Sequence, residues 1–414
     1  MGQDINVHQF DNGLTLLVEV MDWVESAGFT ITIPAGCARD PADKLGLANF
    51  TNEMAQRGCG DLNSRQFIES LDRLGADRSA SVTQVSSSFA AATLADNLPG
   101  VLEVYSKLAR QPHFPEDQLE EGRLVCIQEL YSFADDLANR CIHTLKHQTY
   151  PTPWGRLAIG DEEHVEGITL AEIQEFHRLH YGPNGAIISV AGKVDFEKVK
   201  ADVARLFGDW KQAERPAITN GPAPCGYRHI EHDSSQTHIA IAYDAVPYRH
   251  PDYFQSRGAV GVLSDGMSSR LFTEVREKRG LCYTVFASYH SFKDEGRVIT
   301  YAGTTAERAQ ETLDVASAEL RKITEGINES ELRRLKARVR SALIMQQEVS
   351  TARSSAIAAD WFHLGRVRPM EEVNSIIDGL TCESVNNFLA ANPPGDFTIV
   401  TLGSEPLEVS LGVS

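Results

Sequence analysis

The chain has 414 residues, a length that predicts two domains. Of these residues, 42% are hydrophobic and 23% are charged, which is typical of ordinary globular proteins. Its net charge of −18 argues against nucleic acid and anionic membranes as partners. No window approaches the length of a membrane span, and the seven cysteines stand singly without a Cys-x-x-Cys pair.

Strands and helices alternate along the first half of the chain. Two strands flank the turn at Asp11-Asn12-Gly13, and residues 44–56 follow a helical pattern that Gly58 ends. The other predicted strands and helices cover residues 29–33, 64–74, 78–94, 98–110, 116–133, 169–180, 186–191 and 196–206. A proline-rich stretch over residues 215–226 then predicts a linker.

The second half repeats the order of the first. Gly167-Ile-Thr and Phe176 recur as Gly379-Leu-Thr and Phe388, both 212 residues later. A nearly constant offset indicates duplication, because chance matches would drift. We therefore predict an α+β protein of two homologous domains, residues 1–214 and 227–414, related by a pseudo-two-fold axis. Each would be an antiparallel sheet covered by helices on one face.

Residues 264–289 predict a helix with Met267 and Val275 on its apolar stripe, a glycine stop at Gly280, and a strand. Tyr283 would share a strand face with Val285, Ala287 and Tyr289 and emerge close to the helix end. Two interpretations stay open: a solvated basic helix end, or an arginine and Tyr283 aimed as donors at a carbonyl or oxyanion. The spacing alone does not decide between them.

Two stretches, GLANFTNEMAQRG at 46–58 and GMSSRLFTEVREKRGLCY at 266–283, resemble the pitrilysin-like zinc peptidases. The resemblance covers nearly the whole chain. In that family the first stretch carries an inverted His-x-x-Glu-His zinc motif, and the second carries an arginine and, seven residues later, a tyrosine. The resemblance assigns these two roles to Arg276 and Tyr283, with Arg279 as a rival arginine because it lies nearer the apolar stripe.

The zinc motif itself is degenerate. Asn49 and Glu53 stand at the two histidine positions, Asn52 stands at the catalytic glutamate, and Gly122 replaces a supporting glutamate. The third ligand position keeps its carboxylate, Glu129. An asparagine is a poor zinc ligand and its amide is not a base, so we expect no metal in this chain. A hard cation held by Glu53 and Glu129 stays a minor alternative.

The resemblance implies the non-zinc subunit of a heterodimeric zinc metalloendopeptidase, inactive alone. A homologous subunit with an intact His-x-x-Glu-His motif would hold the zinc, while Arg276 binds the peptide substrate and Tyr283 stabilises the oxyanion. One alternative is a catalytically silent structural core subunit of a larger complex, and another is a stand-alone metallopeptidase with a rearranged site. We expect a periplasmic location, with the cytoplasm as the alternative, because bacterial pairs of this kind can be exported.

Three further clusters have simpler interpretations. Cys141, His143 and His147 include a His-x-x-x-His spacing that can bind zinc, but we predict a surface helix there. His177 and His180 are predicted to serve packing. Residues 333–340 form a basic helix face, either solvated or in contact with an acidic partner subunit.

Overall fold

The computed structural model describes residues 3–409, which form two compact units, each discontinuous in sequence. The first unit contains the chain up to Ser132 together with Thr152–Gly221 and Ile344–Pro369. The second contains Phe133–Pro151, Pro222–Leu343 and the chain from Met370 onward. The predicted ranges 1–214 and 227–414 therefore differ from these units, because each half of the sequence contributes one helical segment to the unit built mainly by the other half.

The elements follow one another along the chain as strands and helices. The strands are β1 (Asp4–Gln9), β2 (Thr15–Val20), β3 (Ser26–Ile33), β4 (Gly58–Cys59), β5 (Leu62–Asn63), β6 (Asp77–Val82), β7 (Ser87–Leu94), β8 (Ile187–Gly192), β9 (Tyr227–Glu231), β10 (Gln236–Ala245), β11 (Cys282–Ser291), β12 (Gly296–Thr305) and β13 (Thr398–Gly403). The α-helices are α1 (Leu47–Ala55), α2 (Ser64–Arg73), α3 (Leu98–Arg110), α4 (Leu119–Asp135), α5 (Leu137–Thr149), α6 (Glu162–Glu166), α7 (Leu170–His180), α8 (Phe196–Phe207), α9 (Tyr253–Ser264), α10 (Ala309–Lys322), α11 (Glu329–Gln346), α12 (Ser350–Leu364), α13 (Met370–Gly379) and α14 (Cys382–Ala391).

The first unit is built on a six-stranded sheet in the order β1-β2-β8-β3-β7-β6. Strands β2 and β8 run parallel, and the other neighbours are antiparallel. Leu16 of β2 points into the main core, whereas the next residue, Leu17, packs with Ile357 of α12 on the opposite face. Because side chains alternate along a strand, both faces of this sheet are buried.

The second unit has a five-stranded sheet in the order β11-β12-β10-β13-β9, with β13 and β9 parallel. Ile239 and Ile241 of β10 face the main core of this unit, whereas Ala240 packs with Cys141 and Leu145 of α5 on the other face. Helix α5 therefore plays the same part here that α12 plays in the first unit.

The α+β architecture with two homologous domains is confirmed, and the sheets differ from the prediction in two details. Each of the two large sheets contains one parallel pair, and helices cover both of its faces rather than one. The fully buried runs of β8 and β13 reflect this double coverage. Within residues 3–409, no helix is both long and apolar enough to span a membrane.

The predicted surface helix around His143 is wrong in part. His147 is exposed, but Cys141 is fully buried against the sheet and the Nδ1 of His143 is buried without a hydrogen-bond partner in residues 3–409. Burial, with the nearby Lys146 charge, lowers the pKa of His143 to about 4. The packing roles of His177 and His180 are confirmed, since His177 bonds the carbonyl of Ala109 at 3.1 Å and His180 is buried.

Candidate functional site

Helix α1 carries the degenerate zinc motif and begins at a buried carboxylate. The Asp40 carboxylate accepts hydrogen bonds from the backbone N–H groups of Gly46 (2.9 Å) and Ala48 (2.8 Å). Burial raises the pKa of Asp40 to about 7, although these two hydrogen bonds oppose the shift. The buried side chains of Phe50 and Met54 then fix which face of α1 turns toward the core.

The carboxylates at the positions that the resemblance assigns to metal ligands already have partners within the chain. Asn49 donates from Nδ2 to the Oε2 of Glu129 at 2.9 Å. Arg57 donates to the Oε1 of Glu53 from Nε (3.1 Å) and Nη2 (2.9 Å) and reaches Glu121 at 3.4 Å. Glu53 is therefore charge-compensated by a permanent cation one helical turn away.

Asn52 lies inside the protein, although it is a polar residue on a helix. Its side chain is only 4% exposed, and its Oδ1 accepts a 3.4 Å hydrogen bond from the Nε2 of Gln56. A neutral, buried amide cannot take a proton from water near neutral pH, so this position offers no general base.

The side chains around Gly122 leave no room for a larger residue. A Cβ added there would lie 2.6 Å from the Sδ of Met54 and 3.2 Å from the Nε of Arg57. The space of the supporting glutamate is thus occupied, and no carboxylate fits at residue 122 without displacing these side chains.

These residues do not fit a zinc ion. Among residues 3–409, no group of three or more His, Cys, Asp or Glu side chains is arranged to hold a metal. The donor set at this place is an amide, Asn49, and two carboxylates already bonded within the chain, Glu53 and Glu129. The same occupation argues against the hard-cation alternative, because such ions collect several free oxygen ligands.

The second stretch forms a short helix whose last part, Phe272–Glu277, is a π-helix. Gly280 adopts the left-handed conformation (φ +60°), as predicted, and the N–H groups of Gly280 and Leu281 bond the carbonyls of Arg276 and Val275, both at 3.0 Å. With Gly280 left-handed, the bond from its N–H to the Arg276 carbonyl is that of an αL C-cap. Met267 is not part of the apolar stripe, because it lies in the preceding turn and is 75% exposed.

Tyr283 sits on an irregularity at the start of β11. The pairing register with β12 shifts between Cys282 and Thr284, so Tyr283 is an extra, bulged residue. Ala287 points into the core whereas Tyr283 is 69% exposed, so the predicted common face with Ala287 is wrong. The bulge reverses the alternation and turns the phenol outward.

A pair of buried threonines holds this bulge. Thr304, opposite Cys282 on β12, donates from its hydroxyl to the carbonyl of Leu281 at 2.5 Å. Thr312 of α10 in turn donates to the hydroxyl of Thr304 at 3.2 Å. The backbone that presents Tyr283 is therefore fixed from inside the unit.

The two candidate arginines have different surroundings. Arg279 donates to the backbone carbonyl (2.7 Å) and the Oε2 (2.9 Å) of Glu274, whose pKa is lowered by its hydrogen bonds to Lys278 and Arg279. Arg276 is exposed, and its guanidinium lies over the Phe272 ring at 5.0 Å and makes no hydrogen bond or ion pair with the described part of the chain. Its charge also reaches the buried Cys282 thiol, where it opposes the rise in pKa that burial causes.

Comparisons with known proteins identify the family of this chain. Residues 19–161 match the family model described as insulinase (peptidase family M16), and residues 167–339 match that of the peptidase M16 inactive domain. The chain belongs to the M16 peptidase family. This is the pitrilysin-like family that the two motifs indicated.

M16 relatives span nearly the whole chain. A Rickettsia felis protein named uncharacterized zinc protease is 26% identical over 94% of both chains, and Bacillus subtilis YmxG, with the same description, is 25% identical over 91% of this chain and 93% of its own. An M16 inactive-domain structure from Pseudomonas fluorescens superposes with a TM-score of 0.89 at 22% identity, covering 98% of this chain and 100% of that one. A Helicobacter pylori protease structure gives 0.87 at 21%, with the same coverage. These structures support the fold.

Sequence reasoning missed two residues that shape this M16 site. The contact between Arg57 and Glu53 could have been predicted from the sequence. The two residues are four positions apart on a helix, a spacing that brings opposite charges together. The Thr304 contact could not have been predicted in this way, because the hydroxyl meets the Leu281 carbonyl only when β11 and β12 pair.

Proposed function

We propose that this M16 chain is the non-zinc subunit of a heterodimeric zinc endopeptidase and supplies Arg276 and Tyr283 to a peptide bound at the partner's metal. The observation that carries the proposal is the contrast between its two sites. The carboxylates at the positions assigned to metal ligands, Glu53 and Glu129, are hydrogen-bonded within the chain, whereas the side chains of Arg276 and Tyr283 are exposed and make no hydrogen bond within residues 3–409.

The chemistry follows from these two side chains. The Tyr283 phenol is a neutral donor that would bond a peptide carbonyl oxygen more strongly as negative charge develops on it. Arg276, supported by Phe272, would hold the substrate backbone through its planar guanidinium. The zinc expected in the partner would supply a nucleophilic water at neutral pH. The Gly280 cap and the threonine pair would keep both donors in place before substrate arrives.

The test is co-expression with a homologue that has an intact His-x-x-Glu-His motif. We expect the mixture to cleave peptides and the chain alone not to do so. Tyr283→Phe should lower kcat of the mixture by about 100- to 1,000-fold, the usual effect of removing one oxyanion donor. Tyr131→Phe is the matched control, because Tyr131 is also an exposed tyrosine but lies on α4.

Other outcomes would favour the alternatives. If Tyr283→Phe and Arg276→Gln leave the rate unchanged while sedimentation shows intact association, the chain is a catalytically silent structural core subunit. If the purified single chain hydrolyses peptides and a chelator abolishes this activity, the result would instead support a stand-alone metallopeptidase. The periplasmic location stays a prediction, which fractionation of the native host would test.

A further inference from the structure

A cavity of about 390 Å³ lies in the second unit, beside the turn that precedes the π-helix. The turn residues 265–269 form one wall, and α11 forms the other with Arg334 and Arg338. Ser268 and Ser269 also line the cavity, and the exposed Met267 stands at its edge. The volume is sufficient for one small polar group with a few further atoms.

The acidic side chains in this cavity are neutralised. Glu331 accepts from the Nε of Arg270 at 2.8 Å and from its Nη2 at 3.0 Å. Asp265 pairs with the Nη1 of Arg257 at 3.3 Å. Arg338 makes neither a hydrogen bond nor an ion pair with the described residues, so the uncompensated charge here is positive.

The turn is shaped to accept Arg338. Gly266 has φ +102°, and a Cβ added to it would lie 2.5 Å from the Nη1 of Arg338. Any larger residue would therefore strain the turn and displace the guanidinium. The next two backbone N–H groups, those of Met267 and Ser268, have no hydrogen-bond acceptor within residues 3–409.

We propose that this cavity binds a single oxyanionic group, either a carboxylate or a phosphate. Arg338 would form the ion pair, and the N–H groups of Met267 and Ser268, with the Ser268 hydroxyl, would donate the neutral hydrogen bonds. An unpaired guanidinium beside consecutive free backbone N–H groups is a donor set suited to oxyanions. Binding here needs no partner subunit and does not depend on the proposed function.

The experiment uses the full chain labelled with ¹⁵N-methionine, which contains only six methionines. The Met267 amide signal is assigned by its loss in Met267→Leu. At low ionic strength, inorganic phosphate and N-acetyl-aspartic acid amide are titrated separately, with N-acetyl-asparagine amide as the neutral control. We expect a saturable shift of the Met267 signal with at least one of the anions and none with the neutral amide.

Two variants connect the shift to the cavity. Arg338→Gln should weaken binding by about tenfold or more, because it removes a charged hydrogen-bond donor. Arg333→Gln on the same helix, outside the cavity lining, should leave it unchanged. Gly266→Ala should also weaken binding, by displacing the guanidinium.

A response to phosphate alone assigns a phosphate-bearing ligand, and a response to the aspartyl compound assigns an acidic peptide group. The proposal is overturned if neither anion gives a saturable shift, or if Arg338→Gln and Arg333→Gln bind equally well.

Discussion

The Nε of Arg353, on α12, donates a 2.8 Å hydrogen bond to the Oε2 of Glu19, on β2, and both side chains are almost completely buried. These residues are 334 positions apart in sequence, yet they join within one unit. The other Glu19 oxygen accepts from Gln3 at 2.6 Å. The pair fixes a helix from the second half of the chain on the sheet built by the first half.

Breaking this pair from one side should destabilise the first unit strongly. We expect Arg353→Met to lower the free energy of unfolding by about 3–5 kcal/mol, because Glu19 would remain buried and uncompensated. Arg340→Met is the control, since Arg340 forms an exposed pair with Asp378 and should cost less than about 1 kcal/mol. Urea denaturation measures both. Equal effects would show that the buried charge does not govern the stability of α12 packing.

Removing the Thr304 hydroxyl should loosen the bulge that presents Tyr283. Thr304→Val leaves the Leu281 carbonyl without this donor in a buried position, at a cost of about 1–3 kcal/mol. Thr304→Ser retains the hydroxyl and should cost less. Hydrogen exchange at residues 281–284 would report the change, and faster exchange in the serine variant than in the valine variant would contradict the assignment.

Asp40 should make the stability depend on pH in an unusual direction. Its pKa is raised to about 7 in the folded protein from an ordinary value of 3.8, so between about pH 4 and pH 7 the folded state retains a proton that the unfolded state has released. Its contribution to the unfolding free energy therefore falls as pH rises through this range and is constant above it. Asp40→Asn removes this contribution.

The melting temperature of wild type relative to Asp40→Asn should thus decline between pH 5 and pH 8. A loss of about 1 kcal/mol would appear as roughly 2–4 °C in a domain of this size. The exposed Asp43, changed to Asn, is the control and should show no such trend. A difference that grows with pH would refute the raised pKa.

Zinc should not stabilise the isolated chain. A metal that binds only the folded state raises the melting temperature by mass action, and the engaged Glu53 and Glu129 leave no ligand set for one. We expect neither added zinc nor a chelator to shift the melting temperature. Cys225→Ser is included because this exposed cysteine could collect zinc by itself. A zinc-dependent rise that persists in Cys225→Ser would restore the metallopeptidase alternative.

Substitutions of the two candidate arginines should have different effects on the activity of the co-expressed complex. Arg276→Gln should lower kcat/KM by about 10- to 100-fold, because it removes a charged donor to the substrate. Arg279→Gln should change it less than twofold, since Arg279 is bonded to Glu274. Steady-state kinetics on one peptide measures both effects. A larger loss of kcat/KM in Arg279→Gln than in Arg276→Gln would assign the substrate contact to Arg279.

The sequence was informative wherever the signal is local. The helix over 44–56, the left-handed Gly280 and the two-fold repeat depend on spacing, caps and turn residues, which neighbouring positions determine. The resemblance assigned the substrate-binding roles to Arg276 and Tyr283, and it predicted that Asn49 and Asn52 stand in place of a metal ligand and a general base.

Contacts between distant residues were decided only by the tertiary structure. Three features depend on which surfaces meet after folding. They are the placement of α5 in the second unit and of α12 in the first, the buried Glu19–Arg353 pair, and the outward orientation of Tyr283. The physical reason is that the sequence pattern of a strand determines only which side chains alternate along it. The pattern does not determine which helix covers the second face of the sheet, nor where pairing with another strand imposes a bulge.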